Sequence, residues 1–146
     1  MDLSMLMTGT SDNLIDLAVL IGRVFIGVCF MVHAFGKLGL VGTGNMTGYI
    51  GWLESMGLPY ASVQAYMAML TELLGGLALA VGFMTRPACL LLGFTMIVAA
   101  RMGHKGAGYL ITNEPEGAEY TINLAAICVV LFLIGPGMFS VDAIVF

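Results

Sequence analysis

Charged residues are scarce in this 146-residue chain: Asp, Glu, Lys and Arg together make up 10% of it, whereas 60% of its residues are hydrophobic. Only five residues are Lys or Arg, and they form no basic run. A chain without such a run lacks the electrostatic footprint of nucleic-acid binding. At a mean hydropathy of +1.00, it carries more apolar surface than the core of a small soluble domain would hide. The composition therefore predicts an integral membrane protein.

Cysteine is scarce as well. Cys29, Cys89 and Cys128 lie in three different apolar segments, and the chain has no C-x-x-C motif. We predict that they pack in the protein interior and form no thiol redox centre. The 12 methionines are predicted to pack too, with a copper route through Met and Cys as the less favoured alternative. Haem-attachment motifs, iron–sulfur cysteine sets and Rossmann glycines are also missing, so electrons for any redox reaction would have to enter through a partner protein.

Four long apolar runs are present, each close to the roughly 20 residues that cross about 30 Å of hydrocarbon. We place the spans at about residues 14–38, 60–83, 87–102 and 119–134. The short connection FMTRP makes spans two and three an antiparallel hairpin, which puts both chain termini on one side of the membrane. The predicted fold is all-α: an integral membrane four-helix bundle forming a single domain over residues 1–146.

The connection between spans one and two, GTGNMTGYIGWLESMGLPY, has apolar residues at helix-like intervals. This pattern predicts a short amphipathic helix in the membrane interface, with Trp52 at the depth of the headgroups. The alternative is an ordinary loop.

Two opposite charges fall near the middle of spans one and two. When each span is centred on the bilayer, Arg23 and Glu72 both lie within roughly 3 Å of the midplane. An unpaired charge there costs on the order of 3 kcal/mol or more. We therefore predict a structural ion pair between Arg23 and Glu72, and the pattern leaves open whether it only fixes helix register or also has a function.

Polar residues also collect at the ends of the spans that lie opposite the chain termini, which we call the loop side. They form three pairs whose members are three or four residues apart: His33 and Lys37, Arg101 and His104, and Glu119 and Asn123. His33, His104 and Glu119 all fall at roughly 12 Å from the midplane. Equal depth predicts one pocket in which these three residues exchange protons with the head of a lipid-soluble redox carrier such as a quinone.

In that pocket the catalytic residues would be His33, His104 and Glu119. The remaining polar and aromatic side chains of the layer would bind the ligand: Lys37, Arg101, Asn123 and Trp52. One alternative is a layer of separate, hydrogen-bonded interface residues. A metal site is a less favoured alternative, because no H-x-x-x-H or E-x-x-H spacing supports it, and we predict no metal.

Several stretches, taken in order, resemble the DoxX family of small four-helix membrane proteins: RVFIGVCFMVHAFGKL, ELLGGLALAVGFMTRPA, His104 beyond span three, and GAEYTINLAAICVVLFLIGPGMFSVD. The likeness runs from Arg23 to Asp142. Its most specific parts are the arginine and the His–Lys pair of span one, the E-x-x-G-G of span two with TRPA after it, and GPG followed by Ser140 and Asp142. The chain has Ala34 where a glycine often follows the histidine.

The resemblance implies a place in membrane redox chemistry. Family members include the large subunit of a thiosulfate:quinone oxidoreductase and part of a complex that links redox defence to superoxide removal. By this likeness we expect a multi-pass protein of the prokaryotic inner membrane, a quinone-interacting subunit that works with other membrane or peripheral redox subunits or with further copies of itself. The alternative is a non-catalytic accessory or assembly subunit of a larger respiratory, photosynthetic or transport complex, so enzymatic activity stays open.

Overall fold

A computed structural model describes residues 11–146, and this part of the chain is all-α. Its helices, in chain order, are α1 (Asp12–Leu38), α2 (Met46–Ser55), α3 (Ala61–Val81), α4 (Thr85–Gly103), α5 (Glu119–Ile134) and α6 (Asp142–Val145). The four predicted spans match α1, α3, α4 and α5 to within two residues at each end. The first ten residues of the predicted domain lie outside the described range.

Three of these helices are long and apolar enough to cross a membrane: α1 with 27 residues, α3 with 21 and α4 with 19. The fourth, α5, is apolar but has only 16 residues, about 24 Å at a rise of about 1.5 Å per residue. After α5 the chain crosses the end of the bundle, where Asp16 of α1 accepts a hydrogen bond from the backbone N–H of Met138 (2.8 Å). Both described ends of the chain therefore lie at the same end of the bundle, as predicted.

The bundle is built from two close helix pairs. α1 packs mainly against α3 and α5 mainly against α4, while the contact between α3 and α4 joins the pairs. The main core contains Ile26, Phe30, Leu79, Ala88, Cys89, Leu92, Met96, Leu124, Cys128 and Leu131. Cys89 and Cys128 are thus packing residues, as predicted, and Cys29 is half-buried and free.

A close contact joins the backbones of α1 and α3 at two glycines. A Cβ atom added to Gly27 would lie 2.4 Å from the carbonyl oxygen of Gly76 and 2.7 Å from the backbone nitrogen of Ala80. One added to Gly76 would lie 2.7 Å from the carbonyl oxygen of Gly27. Small residues allow such close approach between membrane helices. Because backbone atoms cannot move aside as a flexible side chain can, this contact fixes the register of α1 against α3.

The predicted short helix between spans one and two is present as α2, so the alternative of an ordinary loop is wrong. The Asn45 side chain caps it by accepting a hydrogen bond from the backbone N–H of Gly48 (2.7 Å). Its buried Leu53 packs against Ala61 and Ala65 at the start of α3. The ring of Trp52 reaches the end of α4, where a Cβ added to Gly103 would lie 2.7 Å from the ring.

At the opposite end of the bundle, Arg23 and Asp142 tie the C-terminal segment to the helix ends. The fully buried Arg23 donates from Nη1 to the carbonyl oxygen of Leu79 (3.4 Å) and from Nη2 to that of Phe139 (2.5 Å). Asp142 accepts hydrogen bonds from the backbone N–H groups of Met84 (2.7 Å) and Thr85 (2.9 Å), where α4 begins.

The predicted ion pair between Arg23 and Glu72 is wrong. Glu72 pairs with Lys37 instead, and Arg23 lies beside Gly82, where a Cβ would meet its guanidinium. The prediction placed the centre of each apolar run at the membrane midplane. The contact between Gly27 and Gly76 sets a different register of α1 against α3. In that register Arg23 and Glu72 are separated by about ten residues of α3, roughly 15 Å along the helix axis.

The glycine contact yields a stability prediction. We expect Gly27→Ala to destabilise the bundle by about 1–3 kcal/mol, because the added methyl group would force two backbones apart. Gly22→Ala is the matched control in the same helix, since its Cβ would lie 3.7 Å from Leu131, an ordinary contact. That variant should be neutral or slightly stabilising. Thermal unfolding in detergent measures the melting temperature of each variant. Equal melting temperatures for the two variants would contradict the close backbone contact at Gly27.

Asp142 yields a pH-dependent prediction. Burial acts to raise the pKa of its carboxyl, but the hydrogen bonds from Thr85 and Met84 and the nearby Arg23 outweigh it and hold the pKa below its usual range. A lowered pKa in the folded state means that the carboxylate stabilises the fold above its unfolded-state pKa of about 3.9, and that this contribution is lost as the pH falls through the folded-state value.

We therefore expect Asp142→Ala to cost about 1 kcal/mol at pH 7, as loss of a helix cap does. The difference from the parent should shrink as the pH falls below about 4. Chemical unfolding in detergent at pH 7 and pH 3 tests this, with Glu54→Ala on the exposed face of α2 as the control. A difference that stays constant with pH would show that the carboxylate is not the stabilising group.

Candidate functional site

A buried ion pair lies near the loop-side end of the bundle. Lys37, in the last turn of α1, donates from Nζ to Oε2 of Glu72 on α3. The side chains are 17% and 4% exposed, respectively, and no other ion pair joins residues within 11–146. Because a lone carboxylate would be costly at this position, Lys37 supplies the partner that Glu72 requires.

Tyr49 of α2 covers this pair. Nζ of Lys37 lies 5.1 Å from the centroid of the Tyr49 ring, within cation–π range, and that ring stacks on Trp52 at a centroid distance of 5.9 Å. Burial and the charge of Glu72 raise the pKa of Tyr49 to about 12. Its phenol therefore stays protonated at neutral pH and remains a hydrogen-bond donor.

His33 lies one helical turn before Lys37 on the same face of α1. Its ring packs against Tyr120 of α5, with ring centroids 4.7 Å apart, and the Tyr120 hydroxyl lies 3.4 Å from Sγ of Cys29. The exposed ring of His33 therefore packs against α5, one helical turn from the Lys37 end of the ion pair.

His33, Lys37 and Tyr49 open onto one cleft of about 570 Å³, the His33–Lys37 cleft. Its walls come from the end of α1, the following loop and the start of α2. The rest of the lining is formed by Val32, Gly36, Val41, Gly42, Thr43, Gly44, Asn45 and Gly48. The cleft combines hydrogen-bond donors, among them the ammonium group of Lys37, with an apolar edge at Val32.

A second cleft, of about 480 Å³, lies between the end of α4 and the start of α5. We call it the Arg101–His104 cleft. Arg101, His104 and Lys105 line it together with Ile97, Ala100, Gly106, Gly108, Ala118, Ile122 and Ala125. The Nδ1 of His104 lies 2.7 Å from the carbonyl oxygen of Glu116; since a carbonyl only accepts, Nδ1 carries the proton.

Glu119 and Asn123 hold the loop between α4 and α5. Oε2 of Glu119 accepts a hydrogen bond from the backbone N–H of Ile111 (3.1 Å). Oδ1 of Asn123 accepts one from the hydroxyl of Tyr109 (3.0 Å). Neither residue lines the two clefts described above.

The structure therefore does not bring His33, His104 and Glu119 to one pocket. His33 lines one cleft and His104 the other, so the predicted convergence is wrong, while the chemical roles of these residues stay predictions. Equal depth in the membrane leaves the angle around the bundle axis undetermined, and that angle separates them. Within residues 11–146, no group of three or more His, Cys, Asp or Glu side chains is placed to hold a metal ion.

Two tyrosines that the sequence analysis did not single out contribute to the site. Tyr49 lies three residues before Trp52, so both fall on one face of α2, and this spacing could have placed them together. Tyr120 lies four and eight residues before the buried Leu124 and Cys128, which marks it as part of the inward face of α5.

The ion pair yields a prediction on stability. Lys37→Met alone should destabilise the bundle by about 3–5 kcal/mol, because it leaves the carboxylate of Glu72 buried without a partner. Adding Glu72→Gln should restore most of that loss. Unfolding in detergent of the parent, both single variants and the double variant gives the coupling energy.

The matched control replaces the other buried cation. Arg23→Met should show no coupling to Glu72→Gln, since those side chains are far apart. A coupling of Glu72 to Arg23 and not to Lys37 would contradict the observed pairing.

The fold and the buried charges define a class: small multi-pass membrane proteins with four antiparallel helices. The model of the DoxX family matches residues 18–105, more than half of the chain. The chain belongs to the DoxX family, as the sequence resemblance indicated.

Relatives agree with this assignment. The chain is 29% identical to Inner membrane protein YqjF of Escherichia coli (strain K12) over 136 residues, which cover 87% of this chain and 91% of the relative. It is 26% identical to Inner membrane protein YphA of the same organism over 129 residues, 85% of this chain and 87% of the relative. A Bacillus subtilis (strain 168) protein named "Putative oxidoreductase CatD" is 30% identical over 131 residues, 90% of this chain and 89% of the relative. No solved structure matches the chain. The protein is a multi-pass inner membrane protein, as predicted.

Proposed function

We propose that this DoxX protein is the quinone-binding subunit of a membrane redox system and that the quinone head occupies the His33–Lys37 cleft. The observation that carries the proposal is that Lys37, which pairs with the buried Glu72, lines one open cleft together with His33 and Tyr49. The name of the B. subtilis relative, "Putative oxidoreductase CatD", is consistent with redox chemistry.

The donors in this cleft suit the carbonyl oxygens of a quinone. The ammonium group of Lys37 has three N–H donors and the phenol of Tyr49 has one, while the imidazole of His33 has one nitrogen that can donate and one that can accept a hydrogen bond. Reduction of a quinone to its quinol takes up two electrons and two protons. Lys37 would stabilise the negative charge that builds up on the carbonyl oxygens, and His33 would deliver protons to them.

The lipid-facing surface of α1 suits the apolar tail of such a carrier. Val32 lines the cleft and is exposed, and Val28 and Phe25 continue the same exposed face towards the middle of the helix. In the membrane this face meets lipid, so a quinone can enter from the bilayer with its tail along α1 and its head in the cleft.

The electrons in this proposal come from a partner protein that carries a flavin, metal or thiol centre. Purification from native membranes in mild detergent, with identification of co-purifying chains and quinone, tests that part. Recovery of a larger complex without quinone would favour the accessory or assembly role instead.

Quinone binding can be read from Trp52, the only tryptophan of the chain, because it stacks on Tyr49 at the cleft. Titration of the purified protein with a short-chain benzoquinone or naphthoquinone should quench its fluorescence saturably. We expect His33→Gln and Tyr49→Phe each to weaken binding about fivefold, the effect of one lost hydrogen bond of about 1 kcal/mol.

His104→Gln is the matched control. It changes the second cleft, which Trp52 also approaches through Gly103, so a general change around the indole would appear there too. The control should bind quinone like the parent. The proposal fails if quenching does not saturate, or if His33→Gln and His104→Gln bind quinone equally well.

A further inference from the structure

We propose that the Arg101–His104 cleft binds the phosphate group of an anionic phospholipid. This inference does not depend on the proposed quinone site, which lies in the other cleft.

The lining of the cleft has the charge that a phosphate requires. Three of its residues are basic and none is acidic: Arg101, His104 and Lys105. Arg101 and Lys105 are exposed and His104 is half-buried. Arg offers a fork of N–H donors and Lys a point charge, both suited to phosphate oxygens.

The loop side of the cleft is fixed by hydrogen bonds. The backbone N–H of Ala118 donates to the carbonyl oxygen of Gly108 (3.0 Å), and Nδ2 of Asn113 donates to that of Ala107 (2.7 Å). The bond from His104 to Glu116 (2.7 Å) holds the imidazole against the same loop. The three basic residues thus lie on the end of α4 and the following loop, which these hydrogen bonds hold in place.

The rest of the cleft is apolar. Ile97 and Ala100 of α4 face Ile122 and Ala125 of α5, and the two alanines leave a groove between the helices. Because α4 has 19 residues, about 28 Å at its helical rise, its end reaches the headgroup level of a bilayer of about 30 Å. The basic groups therefore lie at headgroup depth, with a groove for an acyl chain below them, which a free phosphate ion would leave empty.

General electrostatic attraction does not account for binding at this place. The chain has a formal net charge of −4, so on average it repels an anionic lipid. The acidic residue nearest in sequence to the cleft wall, Glu119, has its carboxylate engaged with the backbone N–H of Ile111. Local chemistry, and not overall charge, must select the ligand.

The test compares lipids of one chain length on the purified, detergent-solubilised protein. We expect phosphatidylglycerol to bind saturably and phosphatidylcholine weakly, as followed by native mass spectrometry. Arg101→Gln and Lys105→Gln should each weaken phosphatidylglycerol binding about fivefold, the effect of removing one basic residue near an anionic headgroup.

The control is Arg86→Gln at the opposite end of the bundle, where the Arg86 side chain donates to the carbonyl oxygen of Phe132 (3.1 Å). It removes the same charge and should leave binding unchanged.

A second readout places the lipid. Phosphatidylglycerol with brominated acyl chains should quench Trp52, which contacts Gly103 beside the cleft, and quenching should fall in the Arg101→Gln, Lys105→Gln double variant. Equal binding of both lipids, or equal effects of Arg86→Gln and Arg101→Gln, would overturn the proposal. So would inorganic phosphate binding as tightly as the lipid, because the apolar groove would then contribute nothing. His33→Gln should bind phosphatidylglycerol like the parent, which keeps this test separate from that of the quinone site.

Discussion

The backbone contact between Gly27 and Gly76 sets the register of α1 against α3, and the positions of both cations of α1 follow from it. In this register Lys37 reaches down to Glu72, and Arg23 arrives at the end of α3. The two cations have different partners: Lys37 donates to a carboxylate, and the Nη atoms of Arg23 donate to backbone carbonyl oxygens. A shift of one residue would move each charge by about 1.5 Å and rotate it by about 100° around the helix, so a contact between two glycines controls the electrostatics of the whole α1–α3 pair.

The turn between α3 and α4 shows how a guanidinium can be buried without an ion pair in direct contact. Arg23 donates to the carbonyl oxygen of Leu79 in the last turn of α3, where the helix dipole is negative. Asp142 accepts from the first backbone N–H groups of α4, at the positive end of that dipole. Opposite charges brought by α1 and by the C-terminal segment thus complement the two helix ends that meet at this turn. Arg23 and Asp142 are far apart in the sequence, but both act at the turn between α3 and α4.

The fold was predictable from the sequence to a greater extent than the site. Apolar runs and the proline and glycine residues beside them mark the ends of α1, α3, α4 and α5, because these signals are local. The partner of Glu72 was not predictable from depth alone, since register depends on which small residues meet across a helix pair. His33 and His104 were placed correctly near the loop-side ends of their helices, but their separation into two clefts depends on helix rotation and on how α2 and the loop after α4 cover the bundle. Those are properties of packing between distant segments, which a single sequence does not encode in its local pattern.

Helix α2 is the element that links the two clefts. Its Tyr49 covers Lys37 in one of them, and its Trp52 rests on Gly103 beside the other. Because the two rings stack on each other and belong to one ten-residue helix, a displacement of Tyr49 cannot leave Trp52 unmoved. The helix is anchored to the bundle mainly through the small apolar cluster around Leu53, so it is held less firmly than the four long helices. If a ligand in either cleft shifts α2, the free-energy coupling between the clefts must be reciprocal. Helix α2, which contacts both clefts, is therefore the part through which a ligand in one cleft would change binding in the other.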